Sequence, residues 1–261
     1  KKEIAIFENA KNDLEEAGLT LKNSMDILEV SMEIPSLDDT MPDNERLVRA
    51  IKKVTGASKV RLPFQVLTKI ARVFRESNFE VRCVIRTSDE GDIFVYDVYP
   101  KSEDIVIGGL AIDIGTTTVS ALLINMLTGE IIGKASAGNG QIRYGADVIN
   151  RIIESMKPGG SEKLQKAVID ETINPLIQQM CRANGFKPEH IYRMSIAANT
   201  TMNHLMAGME GDPIRMEPYI PTFYKTNSLF ASDIGIAINR DAHIIIAPNI
   251  GSYVGGDITA G

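Results

Sequence analysis

The spacing of apolar residues changes character three times along the chain. Residues 1–23, with the stretch "FENAKNDLEEAGL", are charge-rich and helical in spacing. They predict an exposed linker helix ending at Gly18. From "SMDILEVSMEIPS" to "GDIFVYDVYPKSED" the pattern alternates, predicting short strands at 27–34, 80–87 and 93–99 around helices near 43–54 and 63–75. Asp43 and Asn44 are the expected N-caps of the first helix, and "DEGD" at 89–92 is the expected hairpin turn. The segment 24–104 therefore reads as a small α+β domain. Its charges are scattered and it contains no histidine, so no chemistry is assigned to it.

After "YPKSEDI" the texture shifts to that of an α/β unit. "IVIGGLAIDIGTTTVSALLINMLTGEIIGKASAGN" gives three strands in succession, with a Gly-Thr turn after the first and a "TGE" turn after the second. "YGADVINRIIESM" is helical, "KPGG" breaks it, and a long helix is predicted from 161 to about 184, ending at Asn184-Gly185. "IYRMSIAA" is a fourth strand, "TTMNHLMAGM" a helix, "AHIIIAP" a fifth strand, and "GGDITAG" opens a further helix. Such an order predicts a mixed five-stranded sheet with helices on its faces.

Composition narrows the function classes. The 261 residues carry 28 Lys+Arg against 34 Asp+Glu, a net charge of −6. That balance argues against a broad nucleic-acid-binding surface, which needs clustered cations. No apolar run approaches the roughly 20 residues that span a bilayer, and the acidic N-terminal stretch lacks a signal peptide's apolar region. A cytoplasmic location with no membrane or nucleic-acid partner is expected. Cys83 and Cys181 are too far apart for a metal-binding spacing and are expected to be buried thiols.

The richest chemistry lies in "AIDIGTTTVSALLIN". Asp113 closes an apolar strand and is followed by Gly115, Thr116, Thr117 and Thr118. A tight turn there collects N–H groups and hydroxyls into a concave donor surface suited to phosphate oxygens, and the carboxylate suits a hydrated magnesium ion. The same string also serves a plain β-hairpin, and both readings stand. Asn199-Thr200-Thr201, between the fourth strand and the following helix, suit a helix cap or a phosphate contact. Asp257, behind Gly255 and Gly256, is either a helix N-cap or a carboxylate facing a phosphate; the glycine pair permits close backbone approach or simply makes a turn. Asp147 and Arg151, at i and i+4, are read as a surface ion pair ahead of a contact with the cleft. His204 and the methionines Met194, Met202, Met206 and Met209 are read as packing residues, and His190 and His243 lack partners at metal spacing.

A hairpin with D-x-G-T-T, a third strand and then alternating helices and strands resembles the first half of the actin-like ATPase superfamily over residues 109–261. Within it, "AIDIGTTTVSALLIN", "YGADVINRI", "ANTTMNHLMAG" and "PNIGSYVGGDITAG" resemble the ATP-dependent reductive activators of corrinoid proteins. The resemblance implies the first subdomain of an actin-like (ribonuclease H-like) ATPase fold from 105 to 261, with 24–104 in the place of that family's middle domain. It implies an enzyme that uses ATP hydrolysis to pass an electron to an inactive Co(II) corrinoid, a corrinoid protein as partner, and a homodimer. By residue, Asp113 would order magnesium and its water, Thr116–Thr118 would cradle the phosphates with Gly115, and Asp257 would face the γ-phosphate. Two other readings from the same fold are a small-molecule kinase and a non-enzymatic ATP-driven module. The absence of Trp and of a polar-aromatic cluster near Asp257 ranks the kinase second. The cysteine run that would hold the family's [2Fe–2S] cluster is not in this sequence, and the chain stops before a second phosphate loop. The expectation is a fragment that binds ATP and Mg2+ weakly or not at all.

Overall fold

The computed structural model describes residues 24–226, 229–249 and 251. The expected linker helix in 1–23, and Gly255, Gly256 and Asp257 with the helix they were expected to open, lie outside the described residues. The described chain forms two sheets. The first holds β1 (Met25–Ser31), β2 (Val60–Arg61), β3 (Glu80–Thr87) and β4 (Ile93–Pro100) in the order β1-β3-β4-β2. The β1–β3 and β3–β4 pairs are antiparallel, and β2 runs parallel to β4. Helices α1 (Asp43–Thr55) and α2 (Phe64–Glu76) cover one face of this sheet. Leu47, Ile51, Val66, Ile70 and Phe74 lie there against Val81, Cys83, Val95 and Val98.

Details differ from the sequence reading for identifiable reasons. β1 begins two residues early and ends at Ser31, since Pro35 and the polar loop after it cannot extend the ladder. The residue flanking α1 is Pro42, so Asp43 falls inside the first turn. There its carboxylate accepts from Arg75 Nη1 of α2 at 2.7 Å instead of capping. The helix expected from 161 to 184 is three pieces: α4 (Gly160–Val168), a π-turn (Ile169–Ile173) and α5 (Asn174–Ala183). Pro175 explains the break. In a regular helix its ring would strike the carbonyl four residues back, and the wider turn, in which Asn174 N–H reaches Ile169 O, makes room.

The second sheet has the order β7-β6-β5-β8-β9 and is mixed, as the pattern predicted. It is built from β5 (Gly108–Ile114), β6 (Thr118–Asn125), β7 (Ile131–Gly138), β8 (Ile191–Ala198) and β9 (His243–Ile246). β5, β6 and β7 pair antiparallel, while β8 runs parallel to both β5 and β9. Between β7 and β8 lie a 3-10 turn (Gly140–Tyr144), α3 (Val148–Ser155), α4, the π-turn and α5. Three short helices, α6 (Thr200–Met206), α7 (Asp212–Arg215) and α8 (Ala231–Ile234), fall between β8 and β9. Ile112, Ile114, Val119, Leu123, Met194 and Ile196 face this helical layer and pack on Ile169, Ile173, Ile177 and Met202. At about 1.5–3 kcal/mol for each fully buried aliphatic side chain, this is where the unit's hydrophobic stabilisation concentrates. The opposite face carries exposed residues Ala111, Asp113, Ser120 and Ser195.

The two sheets meet along a seam of Met25, Val84, Tyr96, Tyr99, Ile105, Ile107 and Tyr192. A buried polar group crosses it. Tyr99 Oη donates to Asp97 Oδ2 at 2.5 Å and lies 2.7 Å from Tyr192 Oη, and Tyr192 Oη also donates to Asp97 Oδ2 at 3.3 Å. Lys69 of α2 pairs with Asp97 and lies over the Tyr99 ring. Burial, with the Asp97 charge beside them, holds both phenols protonated far above the ordinary tyrosine range. Gln65 of α2 adds a bond of 3.1 Å to Asn239 in the second unit.

Candidate functional site

The turn between β5 and β6 contains Gly115, Thr116 and Thr117. Gly115 N–H donates to Thr118 O at 2.9 Å and closes it. A Cβ at Gly115 would lie 2.8 Å from that same oxygen, so the turn admits glycine alone without rearrangement. The carbonyls of the turn all point into the protein. Asn139 Nδ2 donates to Gly115 O at 2.8 Å, Asn139 N–H to Thr117 O at 2.8 Å, and Arg151 Nη2 to Thr116 O at 2.5 Å. With the oxygens tied back, the N–H groups of Thr116 and Thr117 are left outward, and neither has an acceptor among the described residues. The result is a small concavity of donors at the end of a parallel-paired strand, the arrangement that receives an anion.

Asp113, two residues before Gly115, is exposed on the open face of the sheet. It lines a shallow cavity of about 600 Å3 with Ser120, Lys134, Ser136, Ser195 and Ala197. Among the described residues no group of three or more His, Cys, Asp or Glu is placed to hold a metal ion. A single carboxylate beside a turn of N–H donors is nonetheless a donor set that suits Mg2+, which keeps most of its waters.

Asn199 is the N-cap of α6: its side chain accepts from Met202 N–H at 2.9 Å. Thr200 and Thr201 are fully buried. Thr200 Oγ1 donates to Gly251 O at 2.5 Å, tying α6 to the segment after β9, while Thr201 Oγ1 is a buried hydroxyl without a hydrogen-bond partner among the described residues. His204 packs as expected, stacked on Phe223 with ring centroids 4.5 Å apart.

The expected ion pair on the surface of α3 is replaced by something else. Asp147 precedes the helix and caps it, accepting from Asn150 N–H at 2.8 Å and from Asn150 Nδ2 at 2.9 Å. Arg151 turns inward and is fully buried. Its guanidinium reaches Thr116 O, Gly145 O at 2.9 Å, Gln141 Oε1 at 3.3 Å and Met202 Sδ at 3.2 Å. Burial depresses its pKa, and the Asp147 charge offsets part of that. Gln141, also fully buried, is fixed by its own bond to Leu164 O at 2.9 Å. Neither the inward course of Arg151 nor a role for Asn139 follows from sequence spacing alone. The available signals were a polar residue directly after the third strand and an arginine inside an apolar helix stripe.

The two thiols lie in different cores. Burial pushes Cys83 up to about 12 and Cys181 up to about 11. Neither supplies a thiolate at neutral pH, and together they do not fit an iron–sulfur cluster. Among the described residues no helix is long and apolar enough to cross a membrane.

Comparison with known proteins gives this geometry a family. Residues 14–104 match the RACo linker region and residues 108–261 the RACo middle region. The corrinoid activation enzyme RamQ of Eubacterium limosum is 29% identical over 199 residues, covering 76% of this chain and 33% of RamQ. The solved structure of a reductive activator for corrinoid, iron-sulfur protein matches with a TM-score of 0.78 and 34% identity, over 92% of this chain and 38% of that one. A Ppx/GppA phosphatase of Aquifex aeolicus matches 54% of this chain and 36% of its own at 10% identity, but its TM-score of 0.25 carries no argument. The chain thus spans about a third of the length of the relatives it matches. From the match over 108–261, and from motifs that converge on the β5–β6 turn, the chain belongs to the RACo family of reductive activators of corrinoid proteins.

Proposed function

We propose that this chain is the linker and first ATPase portion of an ATP-dependent reductive activator that returns the Co(II) corrinoid of a methyltransferase system to Co(I). The observation that carries the reading is the β5–β6 turn, whose three carbonyls are held inward by Asn139 and Arg151 while two N–H groups face out. Gly115, Thr116, Thr117 and Thr118 receive the β- and γ-phosphates of ATP, and Asp113 orders magnesium through a water. Magnesium supplies neutralisation of the phosphate charge that develops as the γ-phosphoryl group leaves. Thr200 serves by tying α6 to Gly251, Thr201 is buried at the same helix start, and Asn199 caps that helix. Asp257 is proposed to face the γ-phosphate.

The electron carrier is proposed to lie outside these residues, since the two buried thiols here cannot hold a cluster. The partner is a corrinoid protein, as the names of the matched relatives say of those proteins. The test uses the full-length gene product. Asp113→Ala is expected to abolish ATP turnover and with it the reappearance of the Co(I) absorption band. Near-wild-type turnover would remove Asp113 from the role and the phosphate reading with it.

A further inference from the structure

Three of the sequence strings that mark this family meet at one side chain. Arg151, from "YGADVINRI", contacts the Thr116 carbonyl of "DIGTTT" and the Met202 sulfur of "ANTTM". Its remaining bonds go to the Gly145 carbonyl and the Gln141 amide oxygen. All four acceptors are neutral. The carboxylate that acts on it, Asp147, has both oxygens engaged by Asn150. A fully buried guanidinium normally has a carboxylate hydrogen-bonded to it, because neutral dipoles repay only part of the lost hydration.

We propose that Arg151 is the positioning residue of the phosphate turn, a buried cation behind the 115–118 backbone whose charge is matched by the phosphate that the turn holds. Two physical effects follow from its placement. The Nη2–Thr116 bond fixes the peptide whose N–H belongs to Thr117, so the outward donor is aimed by the inward bond. The guanidinium charge, hydrogen-bonded only to neutral acceptors, also raises the potential at the turn, in a region screened from water on its inner side. Arg151 does not touch the phosphate; it acts through the turn. The planar fork suits this task because it serves several acceptors in one plane, which a lysine cannot. The inference rests on the reading of the turn as a phosphate site.

The experiment compares wild-type full-length protein with Arg151→Met, which fills similar volume without charge, and Arg151→Lys, which keeps the charge and loses the fork. Mg·ATP binding is measured by calorimetry, and thermal midpoints are recorded with and without 20-fold excess Mg·ATP over the wild-type Kd. A residue that only packs lowers both midpoints equally and leaves Kd unchanged. The positioning role requires the ligand-induced rise in midpoint to shrink, with Kd raised at least tenfold in the methionine variant and by a smaller factor in the lysine variant. A folded methionine variant with wild-type Kd overturns the proposal. If the methionine variant does not fold, the lysine variant decides, and an unchanged Kd there overturns it. Failure of the wild-type protein itself to bind Mg·ATP would instead reject the phosphate reading on which the inference rests.

Discussion

His204 is kept neutral by its surroundings. Nδ1 faces Thr200 O at 2.8 Å and so carries the proton, while Nε2 accepts from Thr222 N–H at 3.0 Å and Phe223 N–H at 3.4 Å. Protonating Nε2 would set a donor against two donors, and burial also lowers its pKa. The unfolded chain takes up a proton near the ordinary value of about 6.5 that the folded chain refuses. This stabilisation is therefore complete above about pH 6.5 and is lost as the pH falls below it. Urea midpoints are expected to drop between pH 7.5 and 5.5, and by less in His204→Gln. The remainder belongs to His190, whose pKa burial lowers as well. Asn199→Ala removes the α6 cap and is expected to cost about 1 kcal/mol by urea unfolding. The turn at Gly115–Thr117 was legible in the sequence because a tight turn is a local event. Arg151 was not, since helical spacing says which residues share a face and not which face docks.

The three-part helix between β7 and β8 shows what a proline inside a helical pattern does. The π-turn widens at Pro175, and the Thr172 side chain uses the widening: Oγ1 donates to Ala167 O at 2.7 Å and accepts from Gly140 N–H at 3.0 Å. Gly140 opens the 3-10 turn that carries Gln141, one of the groups on Arg151. A Cβ there would come within 2.6 Å of Ala167 O, so the contact is close as well as directional. Thr172→Val leaves that N–H and carbonyl buried without their partner and is expected to cost about 1–3 kcal/mol, read from the denaturant midpoint. The helix itself was legible from its apolar stripe. Its interruption at Asn174-Pro175 is masked in the sequence because the stripe continues through the break.

The two units were each legible from their periodicity, strand alternation in one and mixed strand-helix order in the other. The seam between them was not, because it joins Asp97 to Tyr192, residues 95 apart in sequence, through side chains whose partners no local pattern specifies. Tyr192→Phe keeps the ring in place and deletes the hydroxyl shared with Asp97 and Tyr99. It is expected to cost about 1 kcal/mol and to split a single calorimetric transition toward two, since the units then have less reason to melt together. Asp97→Asn removes the charge facing Lys69 and should widen that split.

β5 links the seam to the β5–β6 turn. Its seven residues, Gly108–Ile114, extend for about 20 Å. A paired strand cannot telescope, so it behaves as a strut of fixed length. At its far end a Cβ on Gly108 would lie 2.8 Å from the Phe186 ring and one on Gly109 2.7 Å from Met126, leaving no slack to take up motion. A displacement at Gly115 is therefore carried along β5 toward Phe186 and Met126, which sit against its other end.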